Sequence, residues 1–402
     1  MKSRTLTVAA VAVFLVSSML VLPNAGAGDE GRVKWLFLLY LDADNSLDVS
    51  TGPHHESVVE SDFDELMSVG STDNVAAYAL VDRIDGPAYL FKFNQGSMDE
   101  MTDYYLNGME ANMGDPETLR SFVAFTSTIS PANHIMLIFW DHGSPRGVAW
   151  DDHTSDTGGT DFLSQWEVVE ALSGYKVDVI GADECNVGQM EVAYEYAMGT
   201  ETDYLVAAET YTGWRGFPYD AILRELTEKP MMDSREAAVM MIDQTQLLLN
   251  KPPYMGERVN SHAAFDLSKV PALAASLKVL ANHLVVNMDT SANAIAKARG
   301  NAQYLFGANA INLIDLQTFI RSLGAASTSP AIKNACNAVL DDLDAVVVAL
   351  HAVKSTSSML GGMGINFANH SWELPSYYTD FAFASQGWLE LLQVYWAVHG
   401  SV

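Results

Sequence analysis

Between residues 33 and about 230, near-continuous apolar runs alternate with segments whose apolar residues recur every three to four positions. The run 33–41 ends at Asp42-Ala43-Asp44-Asn45, the pattern of a strand buried on both faces that enters a loop. Val59, Phe63, Leu66 and Met67 fall on one stripe and predict a helix. Segments 74–82 and 88–93 read as strands about a turn at Asp85-Gly86-Pro87. A helix over 116–129, an apolar strand over 134–140, a helix over 161–172 and a strand over 177–182 follow. A helix striped by Met190, Ala193, Tyr194 and Ala197 then leads to a strand over 204–209. Such alternation predicts an α/β fold, with a mostly parallel sheet sandwiched by helices.

Beyond 230 the period becomes helical, over 234–249, 270–285, 312–322 and 331–351, with a late strand at 361–367 and a last helix over 380–398. Neither a low-complexity linker nor a repeat intervenes. The reading is therefore a core over 28–250 and a helix-rich C-terminal part over 251–402 packed on it. Residues 1–27 stand apart. Lys2 and Arg4 precede a weakly polar run over 6–23, and Ala25-Gly26-Ala27 supplies small residues at cleavage spacing. This predicts a signal peptide cleaved after Ala27 and a secreted, extracellular protein that is not membrane-embedded. An uncleaved anchor is the alternative, since about 18 apolar residues just span a bilayer.

Composition narrows the partners. Of 402 residues, 50 are acidic and 22 basic, for a formal charge of −28, which repels nucleic acid and anionic membranes. Two cysteines make neither a disulfide scaffold nor a four-thiolate zinc site. No cofactor is called for. Asp42, Asp44, Ser46 and Asp48 have calcium-loop spacing, but Leu47 and Pro53 stand where an EF-hand needs Gly and Glu, so only some other calcium site is left open there. His54-His55-Glu56 belongs to no metal motif, and Asp151-Asp152-His153 reads as a solvated loop.

In open α/β sheets the reactive edge is the carboxyl end of the strands. One apolar strand stops at Asp141-His142-Gly143 and the next at Asp183-Glu184-Cys185. A crossover helix between them puts both ends on one edge, where His142 and Cys185 become neighbours, a base beside a nucleophile. A helix N-terminus just after Cys185 would favour the thiolate. Cys336 lies with Ile332, Val339 and Leu343 on an apolar helix face and reads as core packing. A Cys185–Cys336 disulfide is the competing reading for an exported chain.

With these residues in view, the chain resembles the clostripain-like cysteine peptidases, of caspase-like fold. Residues 35–47 (WLFLLYLDADNSL) are similar to that family's opening strand and Asp-Asn-x-Leu loop, 134–147 to its histidine block and 179–194 to its cysteine block. Gly216-Phe217-Pro218-Tyr219 and Gly364-Ile365-Asn366-Phe367 also fit. The resemblance implies Cys185 as nucleophile and His142 as general base and acid, with an oxyanion held by the backbone N–H groups of Gly143 and Cys185. It implies peptide or protein substrates cut after basic residues, Arg above all. Asp183 is the candidate for pairing with the substrate cation, or else an orienting carboxylate at the strand end, and Glu209 is a weaker pocket candidate. The sequence departs from the family in Glu184 and Asn186, which flank Cys185 where Ala and Leu are usual. The interval between His142 and Cys185, where many relatives cut themselves, holds only Arg146 and Lys176 as basic residues. These departures keep a second reading open, a catalytically silent, secreted caspase-like binding scaffold.

Overall fold

The computed structural model describes residues 31–50, 57–154, 159–251, 261–302, 305, 312–352 and 360–399. The predicted signal peptide and His54-His55-Glu56 lie outside the described residues. Thirteen strands are present among those described: β1 Val33–Ala43, β2 Val75–Arg83, β3 Tyr89–Asn94, β4 Ser97–Glu100, β5 Ala132–Trp140, β6 Gly147–Asp151, β7 Asp161–Ser164, β8 Val179–Asp183, β9 Tyr204–Ala208, β10 Ser261–Asp266, β11 Leu313–Asp315, β12 Val347–Ala352 and β13 Gly364–Asn366. The helices are α1 Val58–Val69, α2 Pro116–Ile129, α3 Gln165–Leu172, α4 Met190–Gly199, α5 Tyr219–Glu228, α6 Ser234–Leu249, α7 Val270–Val286, α8 Met288–Asn301, α9 Leu316–Ala326, α10 Pro330–Val346 and α11 Trp388–His399.

Nine strands form one sheet in the order β12-β10-β9-β8-β5-β1-β2-β3-β4. Its five central strands, β9, β8, β5, β1 and β2, run parallel, and an antiparallel pair extends each side. Alternation along β1 divides the core in two. Leu36, Leu38 and Tyr40 face a layer containing α2, α3, α4 and α7 to α11, while Trp35, Phe37, Leu39 and Leu41 face α1, α5 and α6. At the outer edge every residue of β4 is exposed, Asp99 and Glu100 among them.

Local signals explain where the elements differ from the periodic reading. The segment 161–172 splits, because Ser164 and Glu167 form a reciprocal cap that starts α3 at Gln165, leaving Asp161–Ser164 to pair with β6. The segment 312–322 splits likewise, since Asp315 caps α9 and the residues before it pair with β13. The expected helix over 331–351 ends at Val346, where Val346-Val347-Val348 turns into β12. The final helix starts only at Trp388. Strands β4, β6 and β10 and helices α5 and α8 were not anticipated. The C-terminal part also does more than pack on the core, because β10 and β12 complete the central sheet. Among the described residues one helical stretch, Leu267–Val286, is long and apolar enough to cross a membrane. Its Leu273, Leu277, Leu280 and Leu284 are instead buried in the core.

Where β1, β2, β5 and β6 end, carboxyl groups crowd together out of water. Asp42, Asp82, Asp141 and Asp151 are all buried, as is neighbouring Glu184. Burial, reinforced by mutual repulsion, raises Asp42, Asp141 and Glu184 far above the carboxylate range. The same causes bring Asp82 to about 8, and burial brings Asp151 to about 6. Such groups bind protons more tightly folded than unfolded. Their stabilisation is complete below the unfolded value of about 4 and is lost as pH rises through these folded values. Buried His262 acts oppositely, but only below its ordinary value of 6.5. Thermal melting should therefore move up by about 5 °C between pH 8.5 and pH 6.5; a midpoint that falls over that interval would contradict this account.

Candidate active site

Register sets the geometry. In the parallel β5–β8 ladder Trp140 lies opposite Asp183, so the two residues that follow each strand leave the sheet side by side. Adjacent strands are about 4.8 Å apart. The turns touch: a Cβ on Gly143 would fall 2.6 Å from the Glu184 Cβ and 2.8 Å from the Cys185 carbonyl oxygen. Only glycine fits there. His142 and Cys185, predicted to meet, line one cavity of about 430 Å³, together with Trp140, Asp183, Thr212 and Trp214.

The loop after β1 orients the imidazole. The Asn45 side chain donates to Asp141 Oδ1 at 2.7 Å and to the Trp150 carbonyl at 3.1 Å, and its Oδ1 accepts the Leu47 N–H at 2.9 Å. That bracing brings Ser46 Oγ to 3.0 Å from His142 Nε2. Burial lowers the His142 pKa, and nearby Asp152 acts against the shift. The four oxygens with calcium-loop spacing turn to different partners. Asp42 accepts the Asp44 N–H, Asp44 pairs with His153, Ser46 with His142, and Asp48 with Arg83. Asp151, expected in a solvated loop, is buried in β6, whereas Asp152 and His153 are exposed.

Both cysteines are free, and Cys336 is buried in the core as read. The Thr212 N–H donates to Cys185 Sγ at 3.4 Å, and the Thr212 hydroxyl donates to the Glu184 carbonyl at 2.7 Å. Burial, with Glu184 and Asp183 adding repulsion, pushes the Cys185 thiol up to about 11, against the Thr212 donor. The expected help from a helix is missing. Helix α4 begins at Met190 behind an N-cap at Gln189, too far from Cys185 for an effect confined to the first turn. The cavity thus holds a thiol of raised pKa and an imidazole of lowered basicity. In the turn itself, Asn186 adopts φ 60° and its side chain donates to the Glu209 carbonyl at 3.0 Å. Asparagine tolerates that left-handed backbone far better than leucine, which accounts for the departure after the cysteine.

Asp183 forms part of the cavity wall. Its Oδ2 accepts the Phe217 N–H at 2.8 Å and the Tyr219 hydroxyl at 2.7 Å, while Oδ1 is buried with no partner among the described residues. Burial raises its pKa to about 6, against those two donors. Gly216, at φ 60°, leaves room for this carboxylate, which a Cβ would strike at 2.2 Å. Helix α1 braces both sides of the cavity. Asp62 accepts the Trp140 indole N–H at 2.7 Å, and Glu65 pairs with Arg215 and accepts the Tyr219 N–H at 2.9 Å. Glu209, read as a second pocket carboxylate, faces elsewhere: fully buried, it accepts from Ser261 Oγ at 2.8 Å and the Gly362 N–H at 2.9 Å. Its work is to tie β10 and the segment before β13 to the end of β9. The periodic pattern gave no sign of Thr212. Ser46 could have been suspected as the residue held between Asn45 and Leu47.

A family model for the clostripain family matches residues 39–396. The chain belongs to the clostripain family. Clostripain of Hathewaya histolytica is 30% identical over 226 residues, covering 47% of this chain and 41% of that relative, so the match spans less than half of its length. A secreted C11 cysteine protease from Bacteroides thetaiotaomicron, solved with an irreversible peptide inhibitor, is similar with a TM-score of 0.66 at 17% identity, over 89% of this chain and 99% of that one. An inactive zymogen C11 protease from Parabacteroides distasonis gives 0.65 at 17% identity, over 88% and 98%. In this member of the clostripain family, Arg146 lies 4.4 Å from the centre of the Phe162 ring and Lys176 pairs with Asp203 at 3.0 Å, so both basic residues of the His–Cys interval have partners.

Alkylation checks the state of the thiol. In substrate-free protein, modification of Cys185 by iodoacetamide should be slow at pH 7 and climb toward pH 11, with Cys336 inert until unfolding. A plateau reached by pH 8 would show a thiolate that these surroundings do not favour.

Proposed function

We propose that the protein is a secreted cysteine endopeptidase that hydrolyses peptide bonds after Arg, and less readily after Lys, through an acyl-enzyme on Cys185. The observation carrying this reading is a cavity bordered by an imidazole, a thiol and a buried carboxylate with one unpaired oxygen. A guanidinium entering it would supply the missing partner of Asp183 Oδ1 and remove one cause of the raised thiol pKa. Planar guanidinium geometry suits a carboxylate better than an ammonium does. Family membership supports peptidase chemistry, and the Bacteroides relative, described as secreted, supports export, as does the pattern of residues 1–27.

In this reading the Cys185 sulfur attacks the carbonyl carbon while His142 takes the thiol proton. The backbone N–H groups of Cys185 and Gly143 hold the oxyanion, each such donor contributing ~3 kcal/mol to the transition state. The carbon–nitrogen bond breaks as His142 returns the proton to the leaving amine. Water, deprotonated by the same imidazole, then cleaves the thioester and frees the new carboxyl end.

Reporter peptides ending in Arg, Lys, Asn or Asp test this. Wild type should favour Arg, Cys185→Ala should lose at least about 10³-fold, and Asp183→Asn should lose about 100-fold on Arg. Asp183 is charged only above its value of about 6, so the Arg-over-Asn preference should grow from pH 5 to pH 7. Equal turnover by wild type and Cys185→Ala would end the proposal. A folded protein whose Cys185 also ignores a thiol-reactive peptide electrophile would instead be a silent binding scaffold, the alternative that Glu184 and the raised thiol pKa favour.

A further inference from the structure

A second cavity, of about 240 Å³, meets the first at His142. It is lined by Asn45, Ser46, His142, Gly143, Trp150 and Asp152, and includes neither Cys185 nor Asp183. Resting on the peptidase reading above, its position has a chemical meaning. With the residue before the bond in the first cavity and its carbonyl over Cys185, the leaving nitrogen must lie where His142 can protonate it. The chain beyond that nitrogen then passes His142 on the side away from Asp183, into the second cavity.

Its walls have a definite character. The Trp150 indole stacks on Phe162 with ring centres 4.2 Å apart and planes 12° apart, and its Nε1 donates to the Gly147 carbonyl at 3.3 Å, so the ring is held in place. Asp152 is exposed, its backbone is fixed by an N–H bond to the Asp44 carbonyl at 2.9 Å, and its carboxylate forms no ion pair among the described residues. An aromatic plane beside a free carboxylate suits a lysine or arginine side chain, whose stem lies on the ring while its cation meets the acid. We infer that this cavity binds the first residue beyond the scissile bond and selects a cationic side chain there, directing the enzyme to paired basic sequences.

Internally quenched peptides, identical through an Arg and then carrying Lys, Ala or Asp, read this directly, beside an Arg reporter that ends at the scissile bond. Wild type should cut Arg-Lys about five-fold better than Arg-Ala and Arg-Asp worst, the size expected of an exposed charge pair. Asp152→Asn should bring the Lys/Ala ratio close to one, and Asp152→Lys should move the preference toward Asp. Because each ratio is internal to one protein, a general loss of activity cancels. An enzyme that cleaves the Arg reporter but shows no Lys preference, or keeps it in Asp152→Asn, overturns the subsite alone. Failure to cleave any Arg substrate removes the peptidase reading and this inference with it.

Discussion

The site depends on one pairing, the parallel register that sets Trp140 opposite Asp183. A slip of one residue would turn every side chain of a strand to the other face. Both strands are buried on both faces, so hydrophobic burial fixes their depth in the sheet, and hydrogen bonds fix their phase. The chemistry inherits that precision at no extra ordering cost, because His142 and Cys185 are each only two residues beyond the paired ends. Gly143 completes the arrangement by letting the two turns come into van der Waals contact.

Around that point the protein accepts an unfavourable environment. Asp42, Asp82, Asp141, Asp151 and Glu184 are withdrawn from water. Each is neutralised by protonation or held by backbone N–H groups rather than by salt bridges. Burial, with Asp183 and Glu184 close to the sulfur, likewise disfavours charge on the Cys185 thiol, so the substrate-free protein holds no preformed thiolate. Under the proposed function, a cation bound at Asp183 would couple selectivity to activation, because Asp183 is one of the groups that raise the thiol pKa.

Legibility followed burial. Strands β1, β5 and β8 were readable because they are apolar runs with abrupt polar ends, and their order alone brought His142 to Cys185. Strand β10 was not, since Ser261-His262-Ala263-Ala264 has neither β-branched residues nor alternation; it belongs to the sheet only because β9 and β12 accept it. The β6–β7 hairpin rests on the Trp150–Phe162 stack, a contact between strands that periodicity does not reveal, and on a local cap formed by Ser164 with Glu167. Glu209 could not be told from a pocket residue by sequence, because its partners, Ser261 and Gly362, arrive from distant parts of the chain. Thr212 likewise touches the sulfur from a loop whose Arg215 is tied to Glu65 of α1, a residue far away in the chain.

The outer edge of the sheet carries a consequence of its own. Strand β4 offers unpaired backbone groups to solvent, the kind of template on which a second copy could add its own strand. Its exposed Asp99 and Glu100 make that rim anionic. Two molecules approaching rim to rim bring like charges together before any backbone bond can form. Concentrated protein is thereby steered away from ribbon growth, and because ions screen this repulsion, the protection weakens as salt rises.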